Sequence, residues 1–459
     1  MLAILDLLMV NLALYGALAL HPLLSGPAAP EPHQFVWYIV LSATWLVVGS
    51  ALDVYDLARA ANLSRSLWAA GGAAVVACGV YLLLPLVTPA LASRRAYALL
   101  LPTFATGGVI LWRGAYAKAF TQPLFRHTML VIGAGQAARV LAQAVAGKDG
   151  DGAVGLATGH EILGFVDDDA AKQGQMIEGA RVLGTRDDLL RLVHMMRPDE
   201  LVVAISDLGS LHEDLFQAIL RCWEAGIPVT TMPDMYEHVM TRVPVEHAGR
   251  MLHVVVPLGH AASFRLYLLA RRLAEVLVAL VGCLVVASVV PLVWLVNRLT
   301  SPGDVFYRQE RVGEGGRTFH VVKFRSMVMD AEKRSGAVWA RRNDDRITPA
   351  GRLLRKMRID ELPQFWNVLR GDMSLIGPRP ERPEFVDQLA QEIPFYRMRH
   401  AVRPGITGWA QVKYGYGASV EDSLIKLQYD LYYIKHEGLY MDLLILLRSV
   451  QVVLGMQGQ

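Results

Sequence analysis

Hydrophobic residues run in long, nearly unbroken segments through the first quarter of the chain. Four such segments occupy residues 2–20, 35–52, 67–87 and 97–111. Each approaches the about 20 residues that a helix needs to cross a bilayer. The loop at 21–34 carries no Lys or Arg, whereas Arg113 and Lys118 follow the fourth segment. By the positive-inside rule this predicts four transmembrane helices followed by a cytoplasmic region, although Arg94 and Arg95 in the third loop oppose that orientation.

Two polar residues interrupt the first of these segments. Asp6 and Asn11 lie among apolar neighbours, where polar side chains are costly unless they find a partner. We interpret both as packing contacts between helices rather than as a path for protons.

The hydrophobic pattern changes near residue 128, where short apolar runs alternate with amphipathic segments. Strands are predicted at residues 128–132, 162–166, 201–205 and 227–231. Strands separated by helices predict a parallel, doubly wound sheet, and we assign residues 121–250 to an α/β Rossmann-like domain.

A glycine turn follows the first of these strands. Gly133 and Gly135 belong to a G-x-G-x-x-A pattern between strand and helix, where backbone N–H groups can approach a pyrophosphate. The strand-end acid Asp167 comes later than the about 20 residues expected for a ribose-binding carboxylate. Gly133, Gly135 and Asp167 are therefore weak nucleotide-binding candidates. A module kept for folding, assembly or regulation is favoured over a working redox site.

Membrane segments followed by such a sheet also suit a membrane-anchored NAD-dependent sugar-nucleotide dehydratase or epimerase. Enzymes of that class use a Tyr-x-x-x-Lys pair, in which the lysine lowers the pKa of the tyrosine. No lysine in this chain has a tyrosine four residues before it, which disfavours this function. A non-enzymatic membrane nucleotide sensor is the third alternative.

A fifth apolar segment, residues 276–296, is long enough to span a bilayer. Ser288 and Pro291 interrupt it, because proline removes a backbone N–H and a serine hydroxyl can satisfy a freed carbonyl. Basic residues flank both ends, at positions 265, 271, 272 and 298. Positive flanks on both sides favour a re-entrant helix over a plain span. We assign residues 251–299 to a linker and this helix.

Composition agrees with a membrane protein that carries soluble domains. Of the 459 residues, 53% are hydrophobic and only 19% are charged. The net charge of +3 gives no indication of a nucleic-acid partner, although local basic clusters can bind phosphates or anionic lipid. The three cysteines are too far apart for a disulfide framework or a zinc site, and we expect buried thiols.

Charged residues become frequent after residue 300, where we predict a catalytic domain at 300–459. Asp360 and Glu361 are adjacent carboxylates, and Asp360 is predicted to cap a helix that ends at Gly371. The helix dipole would favour its ionised form, a competent nucleophile toward phosphorus. Glu361 could hold Mg²⁺ through oxygen. On spacing alone an ordinary capped helix is equally favoured.

Basic residues cluster on both sides of this acidic pair. Lys323 and Arg325 lie in a predicted strand, Arg355 precedes the pair, and Arg379 follows it in a proline-rich turn. A solvated edge strand would explain Lys323 and Arg325. Several basic clusters around one acidic pair suggest instead a diphosphate and an anionic acceptor.

The segment 358–380, which reads R-I-D-E-L-P-Q-F-W-N-V-L-R-G-D-M-S-L-I-G-P-R-P, is long and distinctive. Together with K-F-R-S-M at 323–327 and R-P-G-I-T-G-W-A-Q at 403–411, it closely resembles the bacterial sugar transferases known as monotopic phosphoglycosyl transferases. The resemblance covers roughly residue 264 to the C-terminus. The segments ahead of it resemble the large, exopolysaccharide-associated branch.

This resemblance implies a reaction. A sugar-1-phosphate passes from a nucleotide diphosphate sugar, expected to be a UDP-hexose, to polyprenyl (undecaprenyl) phosphate, and UMP is released. Asp360 is the implied nucleophile and Glu361 the implied Mg²⁺ partner. Phosphate binding is assigned to Lys323, Arg325, Arg355, Arg379 and Pro380.

The resemblance also implies a location and an architecture. The protein is expected in the bacterial inner membrane with its catalytic domain facing the cytoplasm, in contact with membrane lipid and as a homodimer. The expected fold is a four-helix membrane bundle at residues 1–120, the Rossmann-like domain, and an α/β-mixed monotopic catalytic domain with a re-entrant membrane helix. The family bends that helix at a Ser-Pro pair, but Ser288 and Pro291 are not adjacent, so Pro291 alone would set the bend. The apolar segment 439–456 suits either the membrane interface or the core of the catalytic domain.

Overall fold

A computed structural model describes most of the chain. The described residues are 2–25, 34–52, 54–55, 63–84, 96–120, 127–147, 160–205, 211–247, 254, 262–329, 331, 345–415, 417 and 419–454. Arg94 and Arg95, which opposed the predicted orientation, lie outside them. The chain divides into two compact units, Met1–Met232 and Pro233–Gln459. The finer division into four parts stays a prediction.

Among the described residues, four helices form the start of the first unit, as the apolar segments predicted. They are α1 (Leu2–Ser25), α2 (Gln34–Ala51), α3 (Leu63–Leu82) and α4 (Ala96–Phe120). Alanines at 70, 73, 74 and 77 are fully buried along α3, and such small residues let helix backbones approach closely. Large apolar side chains such as Leu12, Ile39 and Leu111 are exposed on the outside of the bundle.

The interpretation of Asp6 and Asn11 as packing contacts is confirmed. Arg113 of α4 donates to both oxygens of Asp6, at 3.2 and 2.5 Å, and both side chains are fully buried. Asn11 donates to the hydroxyl of Ser42 on α2, at 2.9 Å. The two contacts tie α1 to both of its neighbours.

By length and composition, one helix of the described residues could cross a membrane, and it runs from Phe264 to Thr300. The apolar helical stretches Ala3–Ala19, Phe35–Ser50 and Ser66–Leu82 are shorter than a full span. Four N-terminal helices are therefore confirmed as helices, while their role as four membrane spans stays a prediction.

The rest of the first unit is an α/β sheet. Its strands are β1 (His127–Ile132), β2 (His160–Val166), β3 (Met176–Ile177), β4 (Ala180–Gly184), β5 (Glu200–Val203) and β6 (Val229–Thr231). Helices α5 (Gln136–Ala146), α6 (Leu189–Met196) and α7 (Glu213–Glu224) connect them. The strand order is β3-β4-β2-β1-β5-β6, with every pair parallel except the short β3 against β4. The predicted parallel sheet is confirmed, and its four predicted strands shift by only one to two residues at most ends.

The second unit contains the longest helix. Its helices are α8 (Met232–Met240), α9 (Ala262–Thr300), α10 (Pro349–Lys356), α11 (Gln364–Arg370), α12 (Pro383–Glu392), α13 (Trp409–Lys413), α14 (Val420–Lys435) and α15 (Leu439–Leu454). An antiparallel hairpin, β7 (Phe306–Val312) and β8 (Thr318–Phe324), and a short parallel pair, β9 (Ser374–Ile376) and β10 (Gly405–Thr407), complete it. One core packs α14 against α12 and includes Met441 and Ile445 of α15. The N-terminal half of α15 therefore contributes to the core, while Leu439 and Tyr440 at its start are exposed.

Helix α9 packs along this unit on one face. Ala279 contributes to a core with Val321 and Val368, and Val293 to a second core with Phe324. On the outward face Leu284 is 72% exposed. A helix with one face on a folded domain and an apolar outward face suits burial at a membrane surface.

Two arginines near the start of α9 bind the domain beside it. Arg271 donates to the hydroxyl of Ser374 and to the carbonyl of Ile376, both at 2.7 Å. Arg272 donates to the carbonyl of Val368 at 2.8 Å, in the last turn of α11. The sequence pattern presented both only as basic flanks, whereas their guanidinium groups fix α9 against the fold.

The predicted bend of α9 stays a prediction, but one detail of it is wrong. Pro291 lies inside a continuous helix and lacks the N–H that would bond the carbonyl of Ala287. The Ser288 hydroxyl does not fill that role, because it donates to the carbonyl of Val285 at 2.8 Å.

Candidate active site

The Asp360–Glu361 pair lies in a tight turn between α10 and α11. Arg358 adopts a left-handed backbone conformation with φ 54°, and Ile359–Glu361 then forms one turn of 3₁₀ helix. Helix α11 begins only at Gln364, after Pro363. The prediction that Asp360 caps this helix is wrong, because the reversal at Arg358 starts a separate turn earlier. The predicted end is confirmed, since Gly371 has φ 91°.

Glu361 lies at the centre of a group of cations. Its carboxylate accepts from Arg379 at 2.5 Å, and it lies 3.5 Å from a guanidinium nitrogen of Arg358 and 3.8 Å from Nζ of Lys323. Burial alone would raise the pKa of Glu361, but the charges of Arg379 and Lys323 outweigh burial and hold that pKa well below its usual range. Glu361 is therefore ionised throughout the physiological range.

Asp360 has the opposite electrostatic environment. It is 8% exposed, and burial together with the neighbouring Glu361 charge raises its pKa. The charges of Lys323, Arg355 and Arg379 lower that pKa only in part. The expected helix-dipole effect on Asp360 is thus replaced by desolvation. Two adjacent carboxyl groups whose pKa values are pushed apart are typical of divided chemical roles.

Lys323 extends from β8 toward the pair. Burial, reinforced by the nearby charge of Arg379, lowers the pKa of its ammonium group to about 8. The group is cationic at neutral pH but loses its proton under mildly alkaline conditions. Lys323 can therefore neutralise a phosphate near pH 7, and a modest rise in pH removes its charge.

Asn367 fixes α11 against the strand that carries Lys323. Its side-chain oxygen accepts from the backbone N–H of Val322 at 3.0 Å, and its side-chain nitrogen donates to the carbonyl of His320 at 2.8 Å. Asn367 is 1% exposed. Sequence reasoning gave Asn367 no role. Its position inside a short helix was the available signal, since Asn competes poorly for helix interiors without a specific hydrogen bond.

The proline-rich turn that carries Arg379 is held through its carbonyl groups. Four successive carbonyls, those of residues 378–381, accept hydrogen bonds. The backbone N–H groups of Gly405 and Val312 donate to the carbonyls of Pro378 and Glu381, both at 2.9 Å. The side chains of Arg399 and Arg311 donate to the carbonyls of Arg379 and Pro380, at 3.2 and 3.0 Å. Pro378 and Pro380 have no N–H, so acceptor bonds must fix this backbone. Pro380, predicted to bind phosphate, contributes its carbonyl to Arg311.

Arg399 is a buried link behind this turn. It donates to Asp430 at 2.7 Å and to the Tyr396 hydroxyl at 2.6 Å, besides the carbonyl of Arg379. Asp430 is 1% exposed, and burial raises its pKa to about 6. Sequence reasoning missed Arg311, Asp430 and the contacts of Arg399, because these contacts join elements that are far apart in the chain.

The remaining predicted cations have different positions. Arg355 donates to the Ser326 hydroxyl at 2.8 Å and lies close enough to Asp360 to influence its pKa. Arg325 is buried and donates to the carbonyls of Ser301 and Asp304, just after α9. Lys323, Arg355 and Arg379 thus surround the acidic pair, whereas the guanidinium of Arg325 secures the chain that leaves α9.

The donor set restricts how a metal could bind. Among the residues that the structure describes, no three His, Cys, Asp or Glu side chains come together as a metal cage. Mg²⁺ in phosphoryl-transfer sites is usually held by one or two carboxylates together with substrate phosphates and water. Asp360 and Glu361 fit that arrangement, provided that substrate supplies the other oxygens.

Part of the glycine turn of the first unit is hydrogen-bonded within the chain. Asp167 accepts from the N–H of Ala134 at 2.7 Å and from Lys172 at 3.1 Å. Gly133 has φ 99°, and a Cβ there would lie 3.0 Å from the carbonyl oxygen of Ala204. The positive φ and this close approach both favour glycine here, and the Asp167 carboxylate accepts from one of the amides that a pyrophosphate would use.

Comparison with known proteins decides the family. Residues 266–456 match the bacterial sugar transferase family model. The UDP-galactose-lipid carrier transferase of Erwinia amylovora is 30% identical over 355 residues, which cover 73% of this chain and 70% of that protein. The chain belongs to the bacterial sugar transferase family.

Two further members of the bacterial sugar transferase family are similar to this chain. The UDP-glucose:undecaprenyl-phosphate glucose-1-phosphate transferase of Caulobacter vibrioides is 42% identical, over 40% of this chain and 70% of that protein. The UDP-N-acetylgalactosamine-undecaprenyl-phosphate N-acetylgalactosaminephosphotransferase of Aeromonas hydrophila is 42% identical over 259 residues, or 56% of this chain. The chain spans 60% of the length of the Aeromonas protein.

Proposed function

We propose that this protein transfers a sugar-1-phosphate from a nucleotide diphosphate sugar, a UDP-sugar, to polyprenyl phosphate. The observation that carries the proposal is the Asp360–Glu361 pair, in which Glu361 binds Arg379 and Asp360 is buried with a raised pKa. The names of the relatives, which specify UDP-sugars and undecaprenyl phosphate, support the same substrate classes. The reaction would begin the assembly of an exopolysaccharide or related glycan.

The chemistry follows in two balanced displacements. In the first, an oxygen of the ionised Asp360 forms a bond to the phosphorus next to the sugar. The bond from that phosphorus to the bridging oxygen breaks, and UMP leaves. In the second, an oxygen of polyprenyl phosphate attacks the same phosphorus, and the Asp360 carboxylate is released unchanged. Covalent catalysis of this kind replaces one difficult step with two easier ones.

The neighbouring side chains supply charge and orientation. Arg379 and Lys323 stabilise the negative charge that develops on the phosphoryl oxygens, and Glu361 holds both cations in place. Arg355 supports the turn through Ser326. Bound Mg²⁺, held by the acidic pair and substrate oxygens, would supply neutralisation of the diphosphate charge.

The membrane is the setting that the proposal requires. We propose that α9 enters the bacterial inner membrane from its cytoplasmic face, bends near Pro291 and leaves by the same face. Helices α1–α4 are proposed as four spans. The exposed apolar face of α9 and the exposed Leu439 and Tyr440 of α15 support contact with lipid. This arrangement keeps Asp360 where a soluble nucleotide sugar and a lipid phosphate can both reach it.

The parallel sheet of the first unit has a separate role in the proposal. We assign it as a Rossmann-like module that serves folding, regulation or assembly into a homodimer. The contact between Asp167 and the glycine turn supports a structural role over nucleotide binding.

A single-turnover assay tests the proposed function. Protein in lipid nanodiscs receives a UDP-sugar labelled in the sugar, with Mg²⁺ and without acceptor. We expect UMP release and label bound to protein, followed by transfer of the label when polyprenyl phosphate is added. Asp360→Asn should do neither, whereas Asp387→Asn, at a site that is 66% exposed, should behave as wild type. Full turnover by Asp360→Asn would contradict the nucleophile assignment.

A further inference from the structure

A groove of about 520 Å³ runs between α9 and the turn that follows the acidic pair. Leu277, Val281 and Val285 of α9 line one side, and Leu362 and Phe365 line the other. Its volume lies within the range of about 300–1,000 Å³ typical of small-molecule sites. Every lining residue is aliphatic, aromatic or glycine, so the groove suits a hydrocarbon and offers nothing to a nucleotide or a sugar.

The groove exists because α9 and α11 approach closely at one point. A Cβ at Gly282 would overlap the ring of Phe365. Glycine therefore lets Phe365 lie against the helix backbone and form the floor of the groove. The neighbouring α9 side chains stay available above it, since Leu277 is 65% and Val281 63% exposed.

One residue links the groove to the acidic pair. Leu362, which lines it, directly follows Glu361 in the chain. Glu361 in turn lies 3.5 Å from Arg358 and 2.5 Å from Arg379, which are 35% and 42% exposed, so both guanidinium groups can meet an additional anion. An apolar groove next to a carboxylate that binds two partly exposed arginines is complementary to a hydrocarbon chain with a phosphate at its end.

We propose that this groove binds the first isoprene units of the polyprenyl phosphate acceptor and thereby directs its phosphate toward Asp360. The inference rests on the proposed function and adds a site for the acceptor chain. In it, Leu277, Val281 and Phe365 determine specificity for a prenyl chain, while Arg358 and Arg379 meet the phosphate. The acyl chain of a membrane lipid also suits the apolar lining. The nearby arginines favour a chain that carries its phosphate next to the acidic pair.

The test fills the groove and varies the acceptor. Val281→Trp places a large ring in it, at a position exposed enough to tolerate the change. Leu280→Trp, about 100° around the same helix and not among the lining residues, is the matched control. Prenyl phosphates of increasing length are compared by kcat/KM, with protein in nanodiscs. UMP release without acceptor is measured in parallel.

For wild type and Leu280→Trp we expect kcat/KM to rise as isoprene units are added. For Val281→Trp we expect that rise to disappear, with a loss of about tenfold or more for long acceptors, or about 1.4 kcal/mol. UMP release without acceptor should stay within about twofold of wild type, because the groove does not touch the donor.

Two results would overturn the inference. If Val281→Trp keeps the wild-type dependence on chain length, the groove holds bulk lipid or nothing. If Val281→Trp also loses UMP release, Leu277→Trp is tested with the same series of acceptors. An unchanged dependence on chain length in Leu277→Trp would then reject the groove as the acceptor site. Failure of wild type to release UMP at all would instead reject the proposed function.

Discussion

Arg379 and Glu361 form an ion pair of 2.5 Å across the candidate site, and the two residues are brought together from separate turns. The pair keeps Glu361 ionised and aims a half-exposed guanidinium at the position beside Asp360. Because Glu361 also lies near Lys323 and Arg358, its single carboxylate organises three cations. The first prediction concerns the loss of that charge.

Glu361→Gln keeps the shape of the side chain but removes its charge. The Glu361 charge contributes to the raised pKa of Asp360, so the variant should lower that pKa. Since the proposed nucleophile is the ionised form of Asp360, the acid limb of the pH–rate profile should move to lower pH. We expect kcat to fall by about 10²-fold as the three cations lose their organiser. An acid limb that stays in place would contradict the proposed coupling of the two carboxyl groups.

Lys323 should set the alkaline limit of activity. Its pKa of about 8 means that the cation is present below pH 8 and is lost as the pH rises through that value. We expect kcat/KM to decline above about pH 8, because the free enzyme then lacks one of the charges proposed to bind phosphate. Lys323→Arg should shift this decline upward by more than one pH unit, since a guanidinium stays charged. An alkaline limb that is the same in both proteins would exclude Lys323 as its origin.

Asn367→Ala should destabilise the C-terminal unit. The change removes the hydrogen bonds that the buried Asn367 amide makes with the N–H of Val322 and the carbonyl of His320, at a total cost of about 1–3 kcal/mol. The midpoint of thermal unfolding should fall by several degrees. Arg370→Ala is the control on the same helix. Arg370 is 62% exposed, so its ion pair with Asp372 should contribute less than about 1 kcal/mol. Equal shifts in the two variants would show that Asn367 does not hold α11 on β8.

Asp430→Ala should reduce activity through Arg379 rather than through substrate contact. The change leaves the buried guanidinium of Arg399 without its carboxylate, which lowers the free energy of unfolding by about 3–5 kcal/mol. A less firmly held Arg399 would also weaken its hydrogen bond to the carbonyl of Arg379. We expect KM for the nucleotide sugar to rise, with partial recovery in Asp430→Asn because the amide oxygen can still accept. If only the unfolding temperature changes and KM does not, Asp430 stabilises the fold without positioning Arg379.

The carboxylate pair could be found from the sequence because its signal is local. Two adjacent acids among repeated basic clusters, inside motifs that resemble a known family, were sufficient to select Asp360, Glu361, Lys323 and Arg379. The same reasoning placed Arg325 with them. Alternation along a strand shows which side chains share a face, but not that Ser301 lies where it accepts from Arg325.

The local backbone at the site was harder to predict. The sequence predicted one helix capped by Asp360 and ended by Gly371, and only the end at Gly371 is confirmed. The left-handed conformation of Arg358 is uncommon for a non-glycine residue, so no propensity would indicate it. Tertiary contacts around the turn determine it.

The sequence by itself determined most elements and the family of this protein. Apolar runs predicted the helices, alternating segments predicted the parallel sheet, and the motifs around Asp360 selected the family, because these signals depend on near neighbours in the chain. Only the tertiary structure decided the environment of each group. It buried Asp360, surrounded Glu361 with cations and linked Asp430 through Arg399 to the Arg379 turn. A pKa and an orientation depend on burial and on charges from distant segments, which chain folding alone brings together.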